Sequence, residues 1–173
     1  MPSSYQAPSR GDQAKKTTHS QSAQSNLSQE QTTVEQLISK KGGTTYTISS
    51  SDTLSTAVTV LRDRRIGALL VTGIDGTLEG ILSERDIVRK LAETPGQTLP
   101  QTVGENMTTK VETCAPGDPL VTVLRRMNEG RFRHMPVVSN GTLCGMLTIG
   151  DVVNYRLNAL EYEALQLKQM IVG

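Results

Sequence analysis

The chain has 173 residues, enough for one ordinary domain or for two small similar halves. Its 18 Lys and Arg against 17 Asp and Glu leave no global field to draw it onto nucleic acid or an anionic membrane. Trp is absent and the aromatics are four Tyr and one Phe, so the core is expected to be aliphatic and stacking platforms for single-stranded nucleic acid scarce.

Residues 1–30 are Ser, Gln, Thr, Ala and Lys with almost nothing apolar, a composition that cannot offset chain entropy by burial, and a disordered tail is expected there. A transit peptide is disfavoured by a single Arg10 and by the acidic Asp12 and Glu30, and the tail lacks the apolar core of a secretory signal. No apolar run approaches the roughly 20 residues of a membrane span. The chain reads as cytoplasmic. Cys114 and Cys144 show no metal-ligand spacing and are expected to be buried thiols.

Structure is expected from Thr33, with Val34, Leu37 and Ile38 on one face of a short helix that Lys40-Lys41-Gly42-Gly43 ends. Tyr46-Thr47-Ile48 is a short strand. Ser51 and Asp52 are expected to open a helix that buries Leu54, Val58 and Leu61 and closes at Arg62 to Arg65. Gly67 to Thr72 is a buried strand, Asp75-Gly76 a hairpin turn and Leu78 to Leu82 the return. Ser83 starts a helix carrying Ile87, Val88 and Leu91, and Thr94-Pro95-Gly96 ends the half.

The plan then repeats. Val103 to Thr108 is an entry segment, Val111 to Cys114 a short strand and Pro116-Gly117 a turn. Asp118 is expected to cap a helix with Pro119 at its first position and Leu120, Val123, Leu124 and Met127 on its buried stripe. Met135 to Val138, Asn140-Gly141 and Leu143 to Leu147 form the second hairpin, and Thr148 starts the next helix. The halves align residue by residue, Asp52 with Asp118, Leu61 with Met127 and Arg65 with Arg131, with a one-residue shift near Gly73-Ile74. From Val152 to Ile171 there is no Gly or Pro, and Val153, Leu157, Leu160, Ala164, Leu167 and Ile171 form a heptad-like stripe on one long helix. That stripe suits packing on its own domain or a subunit contact.

The expected class is α+β: two β-α-β-β-α repeats about a pseudo-twofold axis, plus the long C-terminal helix. The boundaries are 1–30 for the tail, 33–95 and 101–158 for the repeats and 159–173 for the helix extension.

Gly80-Ile81-Leu82-Ser83-Glu84-Arg85-Asp86 recurs 65 positions later as Gly145-Met146-Leu147-Thr148-Ile149-Gly150-Asp151. Each copy is a capping box in outline, its hydroxyl accepting from helix N–H groups and its Asp reaching back. The same helix start, with free amides, a hydroxyl and the positive end of a dipole, suits a phosphate, and the Asp suits the two hydroxyls of a ribose. The first half carries Gly67-Ala68 where the second carries Arg133-His134 at a strand entry. Charged residues there read either as a surface pair or as an anion contact, with Arg133 giving planar donors to phosphate and His134 a titratable one.

These features together resemble a tandem pair of cystathionine-β-synthase (CBS) domains, a Bateman module. They are the two Gly-x-x-Ser/Thr-x-x-Asp segments, the hairpins before them and the run Arg133 to Val138. The match is close to small stand-alone CBS-pair proteins of bacteria and plant organelles. The resemblance implies adenosine-containing ligands (AMP or ATP foremost, with ADP, S-adenosylmethionine or NAD(H)) in two clefts between the halves. No cofactor is required. It implies that one cleft uses Ser83, Arg85 and Asp86 with Thr113, Arg133, His134 and Met135, the other Thr148, Gly150 and Asp151 with Thr45, Thr47, Gly67 and Ala68. Flat homodimers are implied as well. The expectation is a regulatory sensor rather than an enzyme, acting through a homodimer or an effector protein, with the Asp86 cleft the tighter. The alternative is a structural or protein-interaction domain with unoccupied clefts. An enzyme acting on a nucleotide is a third reading, with no sequence feature behind it.

Overall fold

The structure, a computed structural model, describes residues 32–172. Helix α1 (Val34–Lys41) and strand β1 (Thr47–Ile48) are followed by helix α2 (Leu54–Arg64). Strands β2 (Ala68–Thr72) and β3 (Leu78–Ser83) lead into helix α3 (Glu84–Glu93). The second half holds the short helix α4 (Val103–Asn106), helix α5 (Leu120–Gly130), strands β4 (His134–Ser139) and β5 (Thr142–Thr148), and the long helix α6 (Ile149–Val172). The α+β class and the two-repeat plan expected above are what the structure shows.

The first sheet runs β1-β2-β3, with β1 parallel and β3 antiparallel to β2. The second is the hairpin β4-β5, and the strand expected at Val111 to Cys114 is reduced to a single parallel bridge between Cys114 and Val137. Its cause is one residue. In the first sheet the Leu70 amide donates to the Tyr46 carbonyl at 3.2 Å. The residue at the matching place is Pro136, which has no N–H, so the ladder stops there.

The hairpins differ in length as the alignment requires. Ser139 pairs with Thr142 across a two-residue turn, in which Asn140 and Gly141 have φ of 49° and 78°, the left-handed pair such turns demand. In the first hairpin Thr72 pairs with Leu78, so Asp75-Gly76 lies inside a longer loop, closed by the Gly73 amide on the Thr77 carbonyl at 2.9 Å.

Several local expectations are corrected. Thr53, not Ser51 or Asp52, caps α2, its hydroxyl accepting from the Thr56 amide at 3.2 Å. Asp52 instead accepts from the Ser49 amide at 3.1 Å, and Asp118 likewise from the Ala115 amide at 2.9 Å. Both aspartates close the turn before the helix, and Pro119 occupies the cap position itself. Ala57 rather than Val58 is buried on α2, and on α3 only Ile87 is buried, with Val88 and Leu91 exposed. Cys114 is buried, and burial pushes its thiol up to about 12, while Cys144 is exposed.

Two aliphatic cores result. One gathers Ile48, Leu54, Leu61, Leu69, Val71, Leu82, Ile87 and Val103. The other gathers Leu120, Val123, Met127, Met135, Val137, Leu147 and Val152 with Val34 and Leu37. Helix α1 therefore leaves the half it precedes and packs into the second core. The Val34 amide donates to the Asp118 carbonyl at 3.0 Å, and the Leu120 amide to the Thr32 carbonyl at 2.9 Å. Helix α4 makes the matching bonds on the first half, from the Val103 amide to the Asp52 carbonyl at 2.7 Å and from the Leu54 amide to the Gln101 carbonyl at 2.8 Å. Gly80 is needed at this junction: a Cβ there would lie 2.7 Å from Met107 Sδ and 2.8 Å from the Thr108 carbonyl oxygen.

Candidate functional site

Both repeated motifs are strand-to-helix junctions. At the first, the Ser83 amide donates to Asp86 Oδ2 at 2.9 Å, the Ser83 hydroxyl donates to the same oxygen at 2.6 Å, and the Asp86 amide donates to Ser83 Oγ at 3.4 Å. At the second, the Thr148 amide donates to Asp151 Oδ2 at 2.9 Å and the Asp151 amide to Thr148 Oγ1 at 3.1 Å. Each Asp spends one oxygen on its helix cap. The other oxygen of each makes no hydrogen bond among the described residues.

The two junctions come together on one cavity. The Glu84 amide donates to the Gly67 carbonyl at 3.0 Å, and the Ile149 amide to the Arg133 carbonyl at 2.9 Å. A Cβ placed on Gly67 would lie 3.4 Å from His134 Nε2. The smallest residue of one strand entry thus makes room for the imidazole of the other.

Around this junction opens a cavity of about 680 Å³. Its walls include Ser83, Arg85, Asp86, Arg133 and His134, five of the residues expected in the first cleft, and also Gly67 and Thr148 from the second. Thr113 and Met135 do not line it. The Thr113 carbonyl accepts from Arg126 Nη2 at 2.8 Å, and Met135 is fully buried in the second core. Five cationic side chains, Arg85, Arg89, Lys110, Arg131 and Arg133, face three acidic ones, Glu84, Asp86 and Glu112. The cavity is therefore positive although the chain is close to neutral. Arg85 Nη1 donates to the Arg131 carbonyl at 3.4 Å and ties the two halves across it.

His134 is half-buried, and burial holds its imidazole below the ordinary value. Glu84 and Asp151 pull it up, while Lys41 and Arg133 push it further down. At neutral pH it offers the cavity one donor and one acceptor.

The residues expected in the second cleft are scattered. Asp151 lines a separate groove of about 630 Å³ between α1, α5 and α6. Lys41 Nζ lies 2.6 Å from Asp151 Oδ2 and 3.2 Å from the Met146 carbonyl. Burial alone would raise the Asp151 carboxyl, but the Lys41 ammonium and the Thr148 amide and hydroxyl outweigh it and hold it below the usual carboxylate value. Gly150, Thr45, Thr47 and Ala68 line neither of these two cavities; Thr45 hydrogen bonds to the Gly43 carbonyl at 3.4 Å, and Ala68 is fully buried.

Sequence reasoning missed Arg89, Lys110 and Arg131. Arg89 is one turn beyond Arg85 on α3, a spacing that puts both on one face and could have been read. Lys110 stands eight residues after the cap Thr102, as Lys41 does after Thr33. Its counterpart pairs with Asp151, whereas Lys110 faces the Asp86 cavity with no such pair among the described residues. Among the described residues no group of three or more His, Cys, Asp or Glu side chains is placed to hold a metal ion.

A family model described as "CBS domain" matches residues 43–93 and 102–158. The CBS domain-containing protein CBSX3, mitochondrial, of Arabidopsis thaliana is 31% identical over 152 residues, covering 83% of this chain and 74% of the relative. Other relatives are longer, and the chain spans 35% of an uncharacterised 33.4 kDa protein of Thermofilum pendens and 19% of a plant CBS-domain protein. Among solved structures, the CBS-domain containing protein ATU1752 from Agrobacterium tumefaciens superposes with a TM-score of 0.70 at 38% identity, over 72% of this chain and 99% of that one. The CBS domain pair of protein MJ0100, described in complex with 5′-methylthioadenosine and S-adenosyl-L-methionine, superposes with a TM-score of 0.62 at 24% identity, over 73% of this chain and 97% of that one.

Proposed function

The chain belongs to the CBS-domain family, and from that premise we propose that it is a regulatory module, without catalysis, that senses an adenine nucleotide. The observation that carries the reading is the cavity at the Ser83-Asp86 junction. It combines a carboxylate with an oxygen to spare, a helix N-terminus and an excess of cationic side chains in one space. Its volume of about 680 Å³ falls in the range of about 300–1,000 Å³ usual for small-molecule sites. The adenosyl compounds named for the MJ0100 pair support the ligand class.

In this reading Asp86 accepts from the ribose hydroxyls. Arg85, Arg133 and His134 hold the phosphate, with Arg89, Lys110 and Arg131 supplying the field around it. AMP and ATP fit a site of this charge best, ahead of S-adenosylmethionine and NAD(H). The Asp151 site is the weaker, because the Lys41 ammonium already sits on the oxygen of Asp151 that caps the helix and offsets the carboxylate's charge. Output passes through a homodimer or an effector protein, since a ligand acts only by favouring one of two states that bind it differently. A cytoplasmic location belongs to the same proposal.

The alternative, an interaction domain with unoccupied clefts, is favoured by one observation. The Ser83 hydroxyl already donates to Asp86, and Lys41 already pairs with Asp151, so both boxes are satisfied without a ligand.

Thermal shift and calorimetry separate the two. AMP or ATP is expected to raise Tm by mass action, and phosphate or guanosine at equal ionic strength is not. Asp86→Asn keeps an acceptor for the cap and is expected to weaken nucleotide binding about tenfold or more, the loss of a charge-assisted hydrogen bond. Lys41→Ala is expected to strengthen binding at Asp151 and leave the Asp86 site unchanged. Equal, small responses to every anion would leave the interaction-domain reading standing.

A further inference from the structure

The distal half of α6 has no role in the nucleotide reading. The family match ends at residue 158, while α6 continues to Val172. Beyond its first turn the helix packs on the body through Val152, Tyr155, Arg156, Ala159 and Glu163, the positions from there on that are buried or half-buried. About a quarter-turn around the helix runs a second row, Val153, Leu157, Leu160, Ala164, Leu167 and Ile171. Every member of that row is exposed, the larger side chains from 40% at Val153 to 82% at Ile171. The row keeps alternating spacings of four and three, the pattern of a helix seam that packs against another element, yet it does not face the body of its own chain.

We infer that this row is a homotypic zipper, pairing α6 in parallel with α6 of a second copy of this chain. Apolar pattern alone does not set the direction. The row is symmetric about Tyr162, so parallel and antiparallel pairing both bring apolar residues together. The flanking charges decide. With Val153, Leu160 and Leu167 at d and Leu157, Ala164 and Ile171 at a, Arg156 and Glu163 fall at g, and Glu161 and Lys168 at e. In the parallel arrangement each g faces the e five residues on in the other chain. Arg156 then meets Glu161 and Glu163 meets Lys168, each twice by symmetry. In the antiparallel arrangement Glu161 faces Glu161 and Glu163 faces Glu163.

The parallel pairing also clears the bodies. Each body lies about 90–100° around its helix from the row, so a twofold axis along the zipper sets the two bodies on opposite sides. The row spans fewer than three heptads, which makes the zipper weak and its dimer concentration-dependent. The inference stands on α6 alone and does not rest on ligand binding.

The test uses the full chain without nucleotide, by sedimentation over a concentration series. A monomer–dimer equilibrium is expected. Lys168→Glu sets Glu163 against a carboxylate on both flanks and is expected to weaken the dimer about tenfold, from two pairs turned repulsive. Glu163→Lys together with Lys168→Glu restores the original affinity, a rescue that a merely structural effect would not produce. In a Cys144→Ser background, Leu167→Cys is expected to form a disulfide between copies, because d residues meet across a parallel seam. In an antiparallel pair the two sulfurs would be about 15 Å apart. A monomer at all concentrations, as expected if the row were reserved for another protein's helix, overturns the inference. So does a dimer that ignores Lys168→Glu or fails to cross-link through Leu167→Cys.

Discussion

Single residues separate the two otherwise matched halves, and His134 does so in a way that pH can read. Its imidazole titrates lower in the folded chain than in the unfolded one, chiefly because the ring is buried. Between those two pKa values the unfolded state holds more protons, so stability rises with pH across that window. We expect Tm to be flat above the unfolded value of about 6.5 and to fall as pH drops from there toward the lower folded value. His134→Asn should flatten that slope. Asp151 acts in a separate window: its depressed carboxyl adds stability that is lost as pH falls below the usual carboxylate range, about pH 4. A melting series from about pH 8 to about pH 5 isolates the histidine, because the Asp151 carboxylate stays ionised throughout. At this scale the capping boxes were legible in the sequence, since hydroxyl, amide and carboxylate lie within four residues. The Lys41–Asp151 pair was not, because 110 positions separate its members and no local pattern joins them.

At the scale of elements, strands and hairpins were legible because alternation and turn residues are local signals. Helix starts were harder. Asp52 and Thr53 are adjacent and both are good caps, and only the backbone decides which faces the helix amides. It chose Thr53, leaving Asp52 for the Ser49 turn. Thr53→Ala is therefore expected to cost about 1 kcal/mol of folding stability. Urea unfolding checks it through a lower midpoint at unchanged m, and a loss from Asp52→Ala alone, with Thr53→Ala silent, would reverse the assignment. The missing strand before α5 follows from a residue on the opposite side of the bridge. Pro136 reads as an ordinary member of an apolar run until Leu70, its counterpart, is seen donating to Tyr46.

For the molecule as a whole, the repeat predicted two similar halves but not how their helices are shared. Val34 and Leu37 announce a buried face, and nothing in their spacing says which core receives it. The structure seats them with Leu120, Val123 and Val152, so the second core draws on both ends of the described chain. Leu37→Ala is expected to cost about 2 kcal/mol, near the low end for a core Leu because 8% of the residue remains exposed. The loss should fall on the second half. Hydrogen exchange should quicken in β4 and β5 before β2 and β3, whereas uniform quickening would mean that the two cores open as one unit.

The crossing of α1 also sets an order of events on the ribosome. The first core is complete once Val103 has been made, so that half has all its partners early. Helix α1 is synthesised first yet cannot be buried until Leu147 and Val152 emerge, roughly 10 s later at typical bacterial or eukaryotic elongation rates. For that interval Val34 and Leu37 are an unpartnered apolar face on a nascent chain. A slowed or stalled ribosome beyond Val103 would thus release a half-molecule with one finished core and an orphan helix, the species a chaperone would be expected to hold.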